Sequence, residues 1–100
     1  MRILVVTSEA FPGFEARNTY VAEELIRRGH EVVHTGPADV MANKGFGTTT
    51  FSADFIDKSA LSPHQMTLFS SFDELVQYVD WCQVVLFGVG KGFNHIADYA

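Results

Sequence analysis

Cysteine occurs once in the 100 residues, as Cys82 inside an apolar run, so no disulfide can close within the chain and a reducing compartment fits. Basic residues are also scarce: seven Lys and Arg stand against twelve Asp and Glu, for a net charge of −5. They form neither a cluster nor a basic aromatic face, which argues against a nucleic-acid partner. No apolar run approaches the ~20 residues of a membrane span. The first such run, Ile3 to Val6, gives way to Thr7 and Ser8 and is too short for a signal peptide. These absences lead to the expectation of a cytoplasmic protein without an integral membrane segment, at most peripheral to a membrane. Hydrophobic residues, by contrast, make up 47% of the chain and aromatics 13%, ample for a core and incompatible with global disorder. Residues 1–100 are expected to form a single domain that buries roughly two-thirds of its unfolded surface.

Ile3 to Thr7 is a continuous run rich in β-branched residues, the composition of a strand covered on both faces, as in a parallel sheet. Pro12-Gly13 reads as a turn, so residues 8 to 18 are expected to be a long loop with Asn18 as the N-cap of a helix over 19–28. Within that helix Val21, Ala22, Leu25 and Ile26 form one apolar stripe. Glu23 with Arg27 and Glu24 with Arg28 are i, i+4 ion pairs worth ~0.3–0.5 kcal/mol each. Gly29 supplies the left-handed residue that ends it. A strand over 30–35 follows, closed by Gly36-Pro37, and strand–helix–strand at this spacing is a right-handed βαβ unit.

Thr48 to Phe51 has the composition of a third strand beside the second, whereas Met66 to Phe69 reads as a short strand or a buried loop edge. Ser71-Phe72-Asp73-Glu74 is a capping box opening a helix over 72–80, with Phe72, Leu75, Val76 and Val79 on one face. Residues 83–87 are another doubly buried strand. Phe93, Ile96, Ala97 and Ala100 then begin an amphipathic helix that reaches the last residue without a C-cap, so the chain is expected to be part of a larger protein. The fold expected is α/β: a Rossmann-like parallel sheet with helices on both faces and strand order 3-2-1-4.

In such a sheet, ligands bind beyond the carboxyl ends of the strands, where the strand order reverses. That point is flanked by the loop after the first strand and by Gly88 to Gly92. Gly88, Gly90 and Lys91 could present backbone N–H groups and one charge to an anion. The spacing fits neither G-x-x-x-x-G-K-[ST] nor G-x-G-x-x-G, and the plainer role of the glycines is a turn. From the first loop, Gly13 could approach a phosphate, and Arg17 is the strongest anion-binding candidate. His30 and His34 lie on different elements, and none of the four histidines has metal-ligand spacing, so no metal site is expected. No G-x-S-x-G elbow is present for a serine nucleophile.

The stretch from Met1 to Pro37, with its Arg27-Arg28-Gly29-His30-Glu31-Val32 corner, resembles the start of GT-B-type glycosyltransferases. Val79 to Gly88 is similar to the next legible strand of that superfamily. The resemblance implies the N-terminal, acceptor-side Rossmann-like domain of an enzyme that transfers sugar from a nucleotide-sugar donor to a sugar or lipid-linked acceptor. It implies no cofactor, since the nucleotide-sugar is a substrate, and it implies that this chain alone is inactive because the donor is held mainly by a second domain. Gly13 stands where many retaining members carry a glycine pair, and Gly88 stands where a histidine is often found. No catalytic residue is carried over. A stand-alone nucleotide- or flavin-binding domain, or a non-catalytic interaction domain, is the alternative.

Overall fold

The computed structural model of the chain describes residues 1–7, 12–42, 44, 51 and 66–87. In chain order the elements are β1 (Arg2–Val6), α1 (Pro12–Arg27), β2 (Glu31–Pro37), a 3₁₀ turn (Asp39–Met41), β3 (Thr67–Phe69), α2 (Phe72–Trp81) and β4 (Val84–Phe87). The four strands form one sheet in the order β3-β2-β1-β4, and every pairing is parallel. This is the α/β architecture expected from the sequence.

β1 is central and buried on both faces, which is why its residues do not alternate between apolar and polar. Ile3 and Val5 point to one side and pack with Ala22 of α1 and, around them, Leu25, Val32 and Val84. Leu4 and Val6 point to the other side and pack with Met41, Phe69 and Leu75 of α2. Among the described residues, α1 packs on one face and α2 on the other. A fully buried Leu, Val or Phe contributes about 1.5–3 kcal/mol, so these two clusters outweigh any surface ion pair.

The α1–β2 corner follows its sequence signals. Gly29 has φ +93°, a conformation open to glycine at little cost. The His30 amide returns to the Leu25 carbonyl, and the Glu31 amide donates to the Met1 carbonyl, which starts β2 in register with β1. The helix itself begins seven residues earlier than its apolar stripe predicts. Pro12-Gly13 is not a turn but the first turn of α1: proline is favoured at the first helical position because its φ is already helical and its missing N–H would have no intrahelical acceptor. Asn18 is therefore inside the helix rather than at its cap. Arg27 pairs with Glu24, not Glu23, and Arg28 donates to the same carboxylate at 2.9 Å.

α2 follows its capping box. The Ser71 hydroxyl accepts from the Glu74 amide at 3.2 Å, and the Glu74 carboxylate accepts from the amide of Ser70, one residue before the cap. β2 runs longer than expected, and the segment read as a short strand or a buried loop edge is a strand. β2 continues through Gly36-Pro37 rather than stopping before them. The place beside β2 is taken by Thr67–Phe69, paired as Thr35 with Thr67, Gly36 with Leu68 and Pro37 with Phe69. Of the stretch 48–51 only Phe51 is described, in a single parallel bridge to Ala38. Three residues carry too little periodicity to mark an edge strand, whereas Phe69 earns its position by complete burial in the core.

Candidate functional site

The carboxyl edge of the sheet is where the strand order reverses. β1 and β4 are neighbours, with Val6 opposite Phe87, so both chains leave the sheet side by side at the same edge. That brings together the departure points of the two connections singled out in the sequence. Gly88, Gly90 and Lys91 lie outside the described residues, as does the expected helix from Phe93.

The β1 exit is held by a buried polar bridge. Ile3, Val5 and Thr7 alternate onto the α1 face beside Val32 and His34 of β2. The Thr7 hydroxyl lies 2.7 Å from His34 Nε2 and accepts from Asn18 Nδ2 at 2.7 Å. Thr7 and His34 are almost wholly buried, and Thr19, also buried, sits on the same helix as Asn18. An amide from α1, a hydroxyl from the end of β1 and an imidazole from β2 are thus joined at one oxygen. The geometry fixes where the chain leaves β1, because Thr7 is also bound through its amide to the Thr35 carbonyl.

The β2 side of the edge is occupied. Pro37 has no N–H to extend the ladder to β1, and pairing with β1 ends there. Backbone groups two residues apart on a strand point the same way. The Thr35 carbonyl accepts from Thr7 of β1, and the Ala38 amide turns to Phe69 of β3. The Pro37 carbonyl therefore points into the lane that β1 vacates after Thr7, and there it accepts the Phe51 amide at 2.8 Å. Phe51 is fully buried. A methyl group placed on Gly36 would lie 2.5 Å from Met66 Cε and 2.8 Å from the Phe51 ring. Glycine is thus required at position 36 because two side chains already fill the space above it.

Gly13 and Arg17 both belong to α1 and not to a loop. Gly13 follows Pro12 in the first turn, so its N–H is the first backbone donor the helix end has available. Arg17 is exposed in the second turn. With Tyr20, Val21, Glu24, Leu25 and Arg28 it borders an open depression of about 600 Å³ on the flank of α1. Hydrogen bonds first from Arg27 and then from Arg28 hold the Glu24 carboxyl below its usual range. Cys82 donates from Sγ to the Val79 carbonyl at 3.3 Å, and burial pushes its thiol up. Among the described residues no cluster of His, Cys, Asp and Glu could hold a metal ion, and no helix is long and apolar enough to cross a membrane.

The Thr7–Asn18–His34 bridge and Phe51 were not singled out in the sequence. The bridge had one usable signal: strand parity places His34 on the same face as Val32, pointing inward. Phe51 had a partial signal: it ends the stretch 48–51 read as a strand beside the second, and it bridges in parallel to Ala38 just past β2, but its burial was not foreseen. Comparisons with protein-family models, with curated proteins and with solved structures find no match to this chain.

Proposed function

We propose that this chain is the N-terminal, acceptor-side part of a GT-B-type glycosyltransferase. The observation that carries the reading is the reversal of strand order between β1 and β4, with both chains leaving on one edge, which is the position where open α/β sheets take nucleotides and sugars. The Arg27-to-Val32 corner adds support, because Gly29 and the His30 and Glu31 amides build the helix-to-strand return on which the resemblance rests. In the reaction, an acceptor hydroxyl attacks the anomeric carbon of the donor sugar. The bond from that carbon to the phosphate oxygen breaks, the nucleoside diphosphate departs with the electron pair, and the acceptor's hydroxyl proton passes to a base or to the departing phosphate.

Within this reading, the Gly13 N–H, which has no acceptor inside α1, would donate to an oxyanion, and the positive end of the helix favours negative charge there. Arg17 supplies a positive charge one turn further along. Gly88, Gly90 and Lys91 follow β4 directly and would face the same ligand from the other side. The donor nucleotide is held mainly by a second Rossmann-like unit, so residues 1–100 by themselves bind weakly and transfer nothing.

The test is release of nucleoside diphosphate from a panel of nucleotide-sugars by the native gene product, with the isolated 100 residues as control. Acceptor-dependent release by the former and none by the latter is the expected result. Saturable binding of FMN or NAD⁺ by the isolated chain, with no release from any donor, would replace the proposal with a stand-alone nucleotide- or flavin-binding domain.

A further inference from the structure

We infer that the exposed flank of α1 is an interface for a second copy of this chain, packed antiparallel across a two-fold axis between Tyr20 and Val21. The inference rests on the described part of α1 and is independent of the proposed function. The inner face of α1 holds Ala22 against Ile3 and Val5 of β1. On the outside, Tyr20 is 63% exposed and Val21 39%. Single exposed apolar residues are ordinary, but these two adjoin Leu25 in the open depression of about 600 Å³, with Arg17, Glu24 and Arg28 at its borders. Aromatic and arginine side chains around an apolar floor are the composition favoured where proteins meet.

Charge decides how two such flanks can pack. Arg17, Tyr20, Val21 and Glu24 recur at three- and four-residue spacing and share one stripe of the helix. Parallel packing would set Arg17 on Arg17 and Glu24 on Glu24. An antiparallel pair with its axis between Ala22 and Glu23 would set Arg17 on Arg28. With the axis between Tyr20 and Val21, Arg17 of one copy faces Glu24 of the other, and Tyr20 faces Val21. A two-fold contact repeats every pairing, so both ion pairs form together. Glu24 already accepts from Arg28 at 2.9 Å and from Arg27. A carboxylate has about four acceptor positions, which leaves room for a further guanidinium. Arg28 lies past Arg27, the last helical residue, and outside the paired stretch. One helix flank is smaller than the ~800 Å² per partner of a standard interface, so the dimer is weak, with a Kd on the order of 100 μM or above.

Sedimentation equilibrium of the chain from ~20 μM to ~1 mM spans that range, and the weight-average mass should rise from that of one chain toward that of two. Amide shifts should move with concentration at Tyr20, Val21 and Glu24 and stay fixed at Arg2 and Gln83, a reading that needs no variant. Arg17→Glu sets acid against acid in both pairs and should weaken association about tenfold or more. Glu24→Arg should do the same with two bases. Mixed in equal amounts, the two variants regain both opposite-charge pairs, and the mixture should associate about as strongly as the native chain. Circular dichroism checks that each variant is folded. The mass of a single chain up to ~1 mM, association untouched by either charge reversal, or a mixture no tighter than its components would overturn the inference.

Discussion

Replacing Thr7 with valine keeps the branched shape at the end of β1 and removes the oxygen that joins three elements. Two polar groups lose their partner. His34 Nε2 is buried against that oxygen at 2.7 Å, and stranding a buried nitrogen costs about 1–3 kcal/mol. Asn18 is only half-buried and can turn toward water, so its loss is nearer the net value of a hydrogen bond, about 0.5–1.5 kcal/mol. The new methyl group returns at most about 0.8 kcal/mol. The sum is a destabilisation of about 1–4 kcal/mol, centred near 2, against the 5–15 kcal/mol typical of a domain. Thr7→Ser is the control: it keeps the oxygen and loses one methyl, for about 0.8 kcal/mol. Urea unfolding followed by circular dichroism should place the valine variant well below the serine variant at an unchanged slope. A valine variant as stable as the serine variant would refute the bridge as a stabilising element.

Three further outcomes are expected. Gly36→Ala should lower stability by about 1–3 kcal/mol through overpacking. Met66→Ala in the same chain should recover part of that loss in a thermal melt, because the methyl overlaps Met66 Cε first. Arg17→Ala should leave the melting temperature within a degree or two of the native chain, since Arg17 is exposed, while weakening nucleotide-sugar binding by the native gene product about tenfold or more in calorimetry. Cys82 should react with Ellman's reagent more slowly than a free thiol at neutral pH. The rate should climb only above the ordinary thiol range, because burial raises its pKa and the thiolate is the reacting form.

How far the sequence speaks depends on how local each cause is. Gly29, Ser71 and Glu74 act through their own backbone neighbours, and the corner and cap they signal are found as read. β1 is legible because burial on both faces leaves an unbroken apolar run; β4 carries a similar run but is only half-buried, with Leu86 exposed, and is not the doubly buried strand expected. Pro12-Gly13 misleads because the same pair suits a turn or a helix start. Thr48 to Phe51 and Thr67 to Phe69 have similar compositions. Of the first only Phe51 is described, whereas the second lies in the sheet with Phe69 in the core beside Leu4, Val6 and Leu75, a fact of tertiary packing. The polar bridge depends on contacts between residues 7, 18 and 34, and no short motif encodes them. The position of the carboxyl edge was thus readable from strand order, while the groups that shape it were not.

The most direct test of the central claim is an amide-resolved NMR titration of the chain with UDP-glucose. A ligand at the β1–β4 reversal should shift the amides of Gly13, Thr7 and Phe87 saturably, and leave Arg2 and Gln83 at the opposite edge unmoved. Saturable shifts at Arg2 and Gln83 instead, or none anywhere at millimolar ligand, would contradict it.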